Sequence, residues 1–133
     1  MRILAISDIH GCLNTFKALL QEIQLTKADQ LFLVGDFIDR GPDSKGVIDH
    51  IWALQAKGFQ LTCLKGNHEE MLLKGVKNGQ DDRLWLVHGG KETLASFSAN
   101  STLDIPAKYI QWMDNLLLYV EHGSFIFVHA GLS

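Results

Sequence analysis

The sequence has little of what marks secreted, membrane or nucleic-acid-binding proteins. Its two cysteines, Cys12 and Cys63, cannot make a disulfide framework and favour reduced thiols in the cytoplasm. The apolar run over residues 3–6 is too short for a signal peptide or a membrane span. Positive charge is also scarce, since 12 Lys plus Arg face 15 Asp plus Glu. We therefore expect a cytoplasmic protein that binds neither a membrane nor nucleic acid.

What the sequence does contain is the composition of a globular domain. Of its 133 residues, 47% are apolar and 20% are charged, which excludes disordered and fibrous proteins. It has no repeat, linker or low-complexity stretch. A chain of this length is expected to form one domain with a sizeable core.

Three short apolar runs predict strands over residues 3–6, 31–34 and 59–64. Each run ends at glycine or polar residues, and an amphipathic helical pattern separates it from the next. The sequence therefore predicts an α/β domain whose strands are buried on both faces and lie largely parallel in one sheet.

Capping residues predict where the helices begin and end. Asn14 is expected to cap the first helix, and Asp43 or Ser44 the second, with Gly58 as its stop. Pro106 suits the first position of a later helix. The remaining predictions are helices over residues 69–76 and 91–97, a hairpin of strands over 118–121 and 125–128, and an undecided stretch over 81–87.

Side chains of the kinds that bind metals or phosphate follow the first three predicted strands and the last one. In chain order they are Asp8 and His10, then Asp36, Asp39 and Arg40, then Asn67, His68 and Glu69, and finally His129. Ligands of open α/β sheets bind at the carboxyl ends of the strands. We therefore expect these side chains to converge on one site.

The chemistry of this set suits two divalent ions. Asp36 can bridge two ions, Asn67 offers an amide oxygen and His129 an imidazole. Such mixed ligands suit Mn²⁺, Fe or Zn²⁺ better than Ca²⁺, and paired ions are common in phosphoester hydrolysis. Taken singly, each fragment has a plainer interpretation as a helix cap, a turn, a surface ion pair or a surface histidine. Their order at successive strand ends is what favours a site.

Four sequence blocks also carry a family resemblance. The blocks are Asp8-x-His10-Gly11, Gly35-Asp36-x-x-Asp39-Arg40-Gly41, Gly66-Asn67-His68-Glu69 and His129-Ala130-Gly131. They resemble those of the calcineurin-like metallophosphoesterases, and within them the PPP-type metallophosphatases, especially small bacterial and phage protein serine/threonine phosphatases. The resemblance covers essentially the whole chain. It implies the α/β fold of that family, with ligands at the carboxyl ends of strands in strand–helix–strand units.

The resemblance also implies a dinuclear metal centre. Two divalent ions are expected, with Mn²⁺ favoured and Fe, Zn²⁺ or Mg²⁺ as alternatives. Asp8 and His10 would hold the first ion, Asn67 and His129 the second, and Asp36 would bridge them. A hydroxide that bridges the two metals would attack phosphorus directly.

Further roles follow from the same resemblance. His68 would be the general acid for the leaving oxygen, oriented by Asp39. Arg40 would bind the phosphate oxygens, for which its planar fork is suited, and Asn67 would also contact substrate. Glu69 is expected to support the loop rather than to touch substrate.

The chain departs from the family pattern in two ways. The family has a further ligand histidine and a second phosphate-binding arginine after the His-Ala-Gly block, and neither has a counterpart here. We therefore expect residues 1–133 to be the N-terminal portion of a single metallophosphatase domain, with the C-terminal part of the β-sandwich missing. His50 and His122 are expected to be surface residues.

The second departure is His88, which stands where bacterial relatives often have Asn. It either contacts substrate or lies in a surface loop.

Three functions remain open at this point, and so does the oligomeric state. The leading one is hydrolysis of phosphomonoesters, on a phosphoprotein or a small phosphoester, by a protein serine/threonine phosphatase. The second is hydrolysis of a dinucleoside tetraphosphate by a bis(5'-nucleosyl)-tetraphosphatase. These enzymes share the blocks, but the family resemblance implies that they commonly lack Asp at the position of Asp39. The third is an incomplete fragment that binds metal or a partner without catalysis.

Overall fold

A computed structural model describes residues 1–77 and 81–129. Its first half alternates strands and helices, as the sequence predicts. The elements are β1 (Ile3–Ile6), α1 (Leu13–Glu22), β2 (Gln30–Val34), α2 (Ser44–Ala56), β3 (Gln60–Leu64) and α3 (Asn67–Lys77). Residues Ala130 and Gly131 of the fourth sequence block lie outside the described residues.

The second half consists of short helices followed by a hairpin. The stretch that the sequence leaves undecided forms a short helix and then a wide turn with a kink, where His88 and Gly89 have non-helical backbone angles. The elements are α4 (Arg83–Trp85), the wide turn (Leu86–Gly90), α5 (Lys91–Ser96), a 3₁₀ turn (Thr102–Asp104), α6 (Ala107–Asp114), β4 (Tyr119–His122) and β5 (Phe125–Val128). The predicted hairpin is thus confirmed.

The first three strands form one parallel sheet in the order β1-β2-β3. This confirms the predicted parallel α/β arrangement. In the register, Leu4 lies beside Leu31 and Leu33 beside Cys63. The carboxyl ends of the three strands therefore meet at one edge of the sheet, where the loops that follow β1, β2 and β3 are neighbours.

Helices cover one face of this sheet. Leu31 and Leu33 on β2 pack into a buried cluster with Val47, Ile48 and Ile51 of α2. Burying such side chains stabilises the fold by about 1.5–3 kcal/mol each. The helical side is therefore the main core of the described residues.

The other face of the sheet is covered only in part. Phe32 points away from the helices and stacks on Phe127 of β5, with ring centroids 4.3 Å apart. On β1, Ile3 and Ala5 are exposed. The prediction that every strand is buried on both faces is therefore wrong for β1, because its outer face has no covering layer among the described residues.

Helix capping agrees with the sequence at one helix and differs at another. The Asp43 side chain accepts a hydrogen bond from the Gly46 N–H and caps α2, as predicted. Gly58 ends the same helix with φ of +98°, a left-handed conformation that suits glycine. The predicted cap at Asn14 is wrong, because a turn at residues 9–12 starts α1 at Leu13 and leaves Asn14 inside the helix.

Pro106 lies one position before the place predicted for it. It immediately precedes α6, which starts at Ala107. No helix within residues 1–77 and 81–129 has both the length and the apolar character needed to cross a bilayer.

Candidate metal centre

The loops that follow the strands have an unusual backbone. Five non-glycine residues there have positive φ: Asp8, His10, Asp36, Asp39 and Arg40. Only two other non-glycine residues in the described part of the chain do so. Left-handed conformations cost an ordinary residue roughly 1–3 kcal/mol and tend to cluster at functional sites. The strain is thus concentrated where the sequence places its candidate ligands.

The first group of candidate ligands is largely enclosed. His10, Asp36 and His68 each offer a ligand atom, and these atoms lie within 4.8 Å of one another. His10 Nε2 is 3.7 Å from Asp36 Oδ2, and the His10 and His68 rings meet edge to face at 4.6 Å. These three residues form the covered cluster.

The second group shares Asp36 with the first. Asp8, Asp36 and His129 also offer ligand atoms within 4.8 Å of one another. His129 Nε2 is 3.1 Å from Asp36 Oδ2, whereas its Nδ1 is 3.9 Å from Asp8 Oδ1. The Asp8 side chain is 59% exposed and that of Asp36 only 8%. These three residues form the open cluster, in which Asp36 is the shared and buried member.

Backbone carbonyls orient two of the histidines. His10 Nδ1 lies 2.8 Å from the Ile38 carbonyl oxygen, and His129 Nδ1 lies 2.7 Å from that of Val34. A carbonyl oxygen can only accept, so each Nδ1 carries the proton and donates it. Each Nε2 is therefore left with a lone pair for a cation. This is the usual arrangement of metal-binding histidines.

This donor set fits divalent ions. The set comprises the carboxylates of Asp8 and Asp36 and the Nε2 atoms of His10 and His129, and Asp36 is common to both clusters. Such mixed ligands suit transition metals. Among the His, Cys, Asp and Glu side chains, Asp8 groups with His129, and His10 groups with His68, around Asp36. The resemblance pairs Asp8 with His10 and Asn67 with His129, and these pairings stay a prediction.

Glu69 connects the loop after β2 with the loop after β3 through hydrogen bonds. Its carboxylate accepts hydrogen bonds from four backbone N–H groups: those of Asp36, Phe37, Ile38 and Gly66. Burial raises the pKa of Glu69 to about 7, although the Gly66 and Asp36 N–H groups act in the opposite direction. Glu69 is fully buried, so it does not face solvent at the site.

The glycine before Asn67 is required by space rather than by its φ. A Cβ on Gly66 would collide with the backbone N and Oδ1 of Asp36. The loops after β2 and β3 therefore approach more closely than any side chain at position 66 permits. This contact aligns the N–H of His68, which donates to Asp36 Oδ1 at 2.9 Å.

Asp39 and His68 form a buried pair beside the covered cluster. His68 Nδ1 lies 2.7 Å from Asp39 Oδ2. The Asp39 carboxylate also accepts hydrogen bonds from Trp85 and Thr93. Burial raises the pKa of Asp39, and the hydrogen bonds from Thr93, His68 and Trp85 partly offset this. The sequence analysis did not identify Trp85 and Thr93, because both are distant from Asp39 along the chain.

Three other candidates lie at the rim. Asn67 begins α3 with an exposed side chain. Arg40 is exposed and lines an open pocket of about 580 Å³ together with His88. His88 Nδ1 bonds to the Leu84 carbonyl oxygen at 2.8 Å, so it is an exposed residue whose ring is held by the backbone.

The two histidines expected at the surface are half-buried. His50 meets the Phe16 ring edge to face at 5.9 Å, and His122 packs on Phe32 at 5.5 Å. Neither belongs to either cluster. Their environment is therefore one of aromatic packing.

Comparisons with known proteins agree on a family. A family model described as calcineurin-like phosphoesterase matches residues 1–133. The symmetrical bis(5'-nucleosyl)-tetraphosphatase of Pseudomonas putida (strain W619) is 33% identical over 131 residues, which are 96% of this chain and 41% of that protein. Serine/threonine-protein phosphatase 1 of Salmonella typhimurium is 33% identical over 130 residues, 94% of this chain and 56% of that protein. The chain thus spans about half the length of these curated relatives.

A solved structure supports the fold. A cold-active protein tyrosine phosphatase superposes with a TM-score of 0.72 at 21% identity, covering 99% of this chain and 43% of that one. At this identity the likeness concerns the fold alone. It agrees with the strand and helix order described above.

Proposed function

The chain belongs to the calcineurin-like phosphoesterase family, whose members depend on two metal ions, and on that basis we propose that its two clusters bind two divalent ions and support phosphoester hydrolysis. The observation that carries this proposal is the Asp36 carboxylate, which both clusters share. The ligands we propose are Asp8, His10, Asp36 and His129 from the two clusters together with Asn67, whereas His68 of the covered cluster acts as the proton donor, and Mn²⁺ is the favoured ion.

The chemistry divides between the ions and the protein. When bound, the ions activate water at neutral pH and offset phosphoryl charge. The Asp36 carboxylate and the Nε2 atoms of His10 and His129 would hold the ions. Arg40, exposed at the rim, binds the outer phosphate oxygens with its planar guanidinium.

His68 supplies the proton for the leaving oxygen in this proposal. Its Nδ1–H is held by Asp39 at 2.7 Å, so Nε2 is the ring atom that can exchange a proton with substrate. The contact to His10 places the same ring beside the covered cluster. A general acid in this position typically contributes 10²–10⁴-fold to turnover.

For the substrate, we propose a phosphoprotein, with phosphoserine or phosphothreonine as the reacting group. Asp39 supports this choice through the family resemblance, and the pocket beside Arg40 opens to solvent. The second candidate is a dinucleoside tetraphosphate, which the Pseudomonas putida relative acts on according to its name. The two free cysteines agree with a site of action in the reducing cytoplasm.

Turnover by single-site variants tests the proposal. With Mn²⁺ present, phosphate release from a phosphoserine peptide and ADP release from diadenosine tetraphosphate are measured for the chain and for His68→Asn. We expect His68→Asn to lower kcat by about 10²–10⁴-fold. The matched control His122→Asn, outside both clusters, should retain turnover. Full turnover in His68→Asn would contradict the proposal, and faster release from the dinucleotide would select the second substrate.

A further inference from the structure

The Asp39 carboxylate lies at the centre of a buried hydrogen-bond network. Two of its members, Trp85 and Thr93, lie outside the four sequence blocks. Trp85 Nε1 donates to both of its oxygens, at 2.8 Å each. Thr93 Oγ1 donates to Oδ1 at 2.7 Å. Trp85 and Thr93 are buried, with exposed fractions of 1% and 0%. Three side-chain donors, counting His68, therefore converge on one carboxylate.

The number of available protons decides which atom donates and which accepts in each hydrogen bond of this network. The single hydroxyl proton of Thr93 goes to Asp39 Oδ1, so the Thr93 oxygen acts as an acceptor in its other contacts. It accepts from the Asp39 backbone N–H at 2.9 Å and from Ser44 Oγ at 3.0 Å. Ser44 Oγ also accepts from the Asp39 N–H at 3.0 Å. The carboxylate is thus fixed by its own backbone as well as by its side-chain partners.

The local chain is built to bring Trp85 and Thr93 to Asp39. Residues eight positions apart on a regular α-helix point about 80° apart, but the wide turn Leu86–Gly90 lies between these two. Gly90 leaves room for the indole, since a Cβ there would be 2.5 Å from Trp85 Cδ2. His88 and Gly89 have non-helical backbone angles in this turn, so the chain kinks between Trp85 and Thr93.

We propose that Trp85 and Thr93 are positioning residues for the His68–Asp39 pair. They hold the Asp39 carboxylate in one orientation, which keeps the His68 Nδ1–H directed at Asp39 and Nε2 directed at the leaving oxygen. The catalytic consequence rests on the function proposed above for His68. The structural part, the fixed orientation of the His68 ring, does not require catalysis.

The first test is made on the metal-free chain by NMR. The His68 ring N–H proton, assigned with His68→Asn, is compared in the unsubstituted chain, Thr93→Val and Thr93→Ser. We expect Thr93→Val to shift this signal or lose it to exchange, and Thr93→Ser, which keeps the hydroxyl, to preserve it. Trp85→Phe, which removes the indole N–H, should behave like Thr93→Val. A signal unchanged in both Thr93→Val and Trp85→Phe would overturn the inference.

The second test separates positioning from general stability. With Mn²⁺ present, Thr93→Val should lower kcat for phenyl phosphate, a poor leaving group, by about 10-fold with KM unchanged. The leaving group of p-nitrophenyl phosphate needs little protonation, so the fall in kcat for that substrate should be smaller. Thr93→Ser should keep kcat for both substrates close to that of the unsubstituted chain. Equal losses on the two substrates would contradict a positioning role. If the chain hydrolyses neither, the proposed function fails, and the NMR comparison still decides the structural part.

Discussion

The two clusters of the candidate metal centre share one carboxylate but differ in support. The covered cluster lies over the helical core, and Glu69, Asp39 and their buried partners fix its loops. In the open cluster, Asp8 is exposed, and the contacts of its side chain are to Ser7 and His129. His129 follows β5, where Phe125 and Ile126 are exposed. The comparison indicates a preorganised half and a half in which Asp8 is exposed, although the Val34 carbonyl and Asp36 both hold His129.

The largest expected effect concerns the support of the covered cluster. Glu69→Ala would leave four buried backbone N–H groups without an acceptor, so we expect the free energy of unfolding to fall by about 4 kcal/mol or more. The measurement is urea denaturation followed by circular dichroism. Glu70→Ala, next to it in α3, is the matched control and should stay within about 0.5 kcal/mol. Equal effects of the two substitutions would remove the basis for calling this half preorganised.

A pair of substitutions compares the helical core with the outer side of the hairpin. Leu33→Ala removes a side chain with no exposed surface on the helical face and should cost about 3 kcal/mol. Ile126→Ala, at a residue 54% exposed on the hairpin, should change stability by less than about 0.5 kcal/mol. Thermal or urea unfolding of both variants checks this. Similar losses would mean that the outer side of the hairpin is as well packed as the helical core.

The smallest effect is expected at the other end of the sheet, where Arg2 ties the β1 edge to Asp29. Arg2 Nη2 lies 2.7 Å from Asp29 Oδ2, and this bond, with the Thr26 N–H, holds the pKa of Asp29 well below its usual range. A depressed carboxyl pKa contributes stability above about pH 4, and that stability is lost as pH falls toward the folded-state pKa.

Asp29→Asn tests this tie through its pH dependence. The variant cannot take up a proton at position 29, so its free energy of unfolding should fall less steeply below about pH 4 than that of the unsubstituted chain. Urea denaturation at a series of pH values measures both slopes. Parallel slopes would show that the Arg2–Asp29 pair does not hold the edge strand.

The sequence predicted the order of elements and the convergence of strand ends well, for a simple reason. Short apolar runs and the polar residues that end them are local signals, and parallel strands bring their carboxyl ends together. The open face of β1 could not be predicted, since an apolar run does not indicate whether a second layer covers it. Asp8, at the end of that strand, is also exposed, and the apolar run does not predict this either.

Long-range contacts account for what the sequence missed at the site. The bonds from Glu69 to the loop after β2 span more than thirty residues, and Trp85 is 46 positions from Asp39. The positive φ of Asp36 and Asp39 is equally invisible, because aspartate adopts such angles more readily than most residues but still has ordinary angles at most positions. The expectation that Glu69 supports the loop is in accord with its four backbone bonds.

The central claim, that two clusters share Asp36 to bind two ions, is tested most directly by Mn²⁺ binding measured with isothermal titration calorimetry. Asp36→Asn keeps an oxygen acceptor for the His68 N–H but removes the shared charge, and His122→Asn serves as the control. We predict two bound ions for the chain and for His122→Asn, and loss of both in Asp36→Asn. Unchanged stoichiometry and affinity in Asp36→Asn would contradict the account.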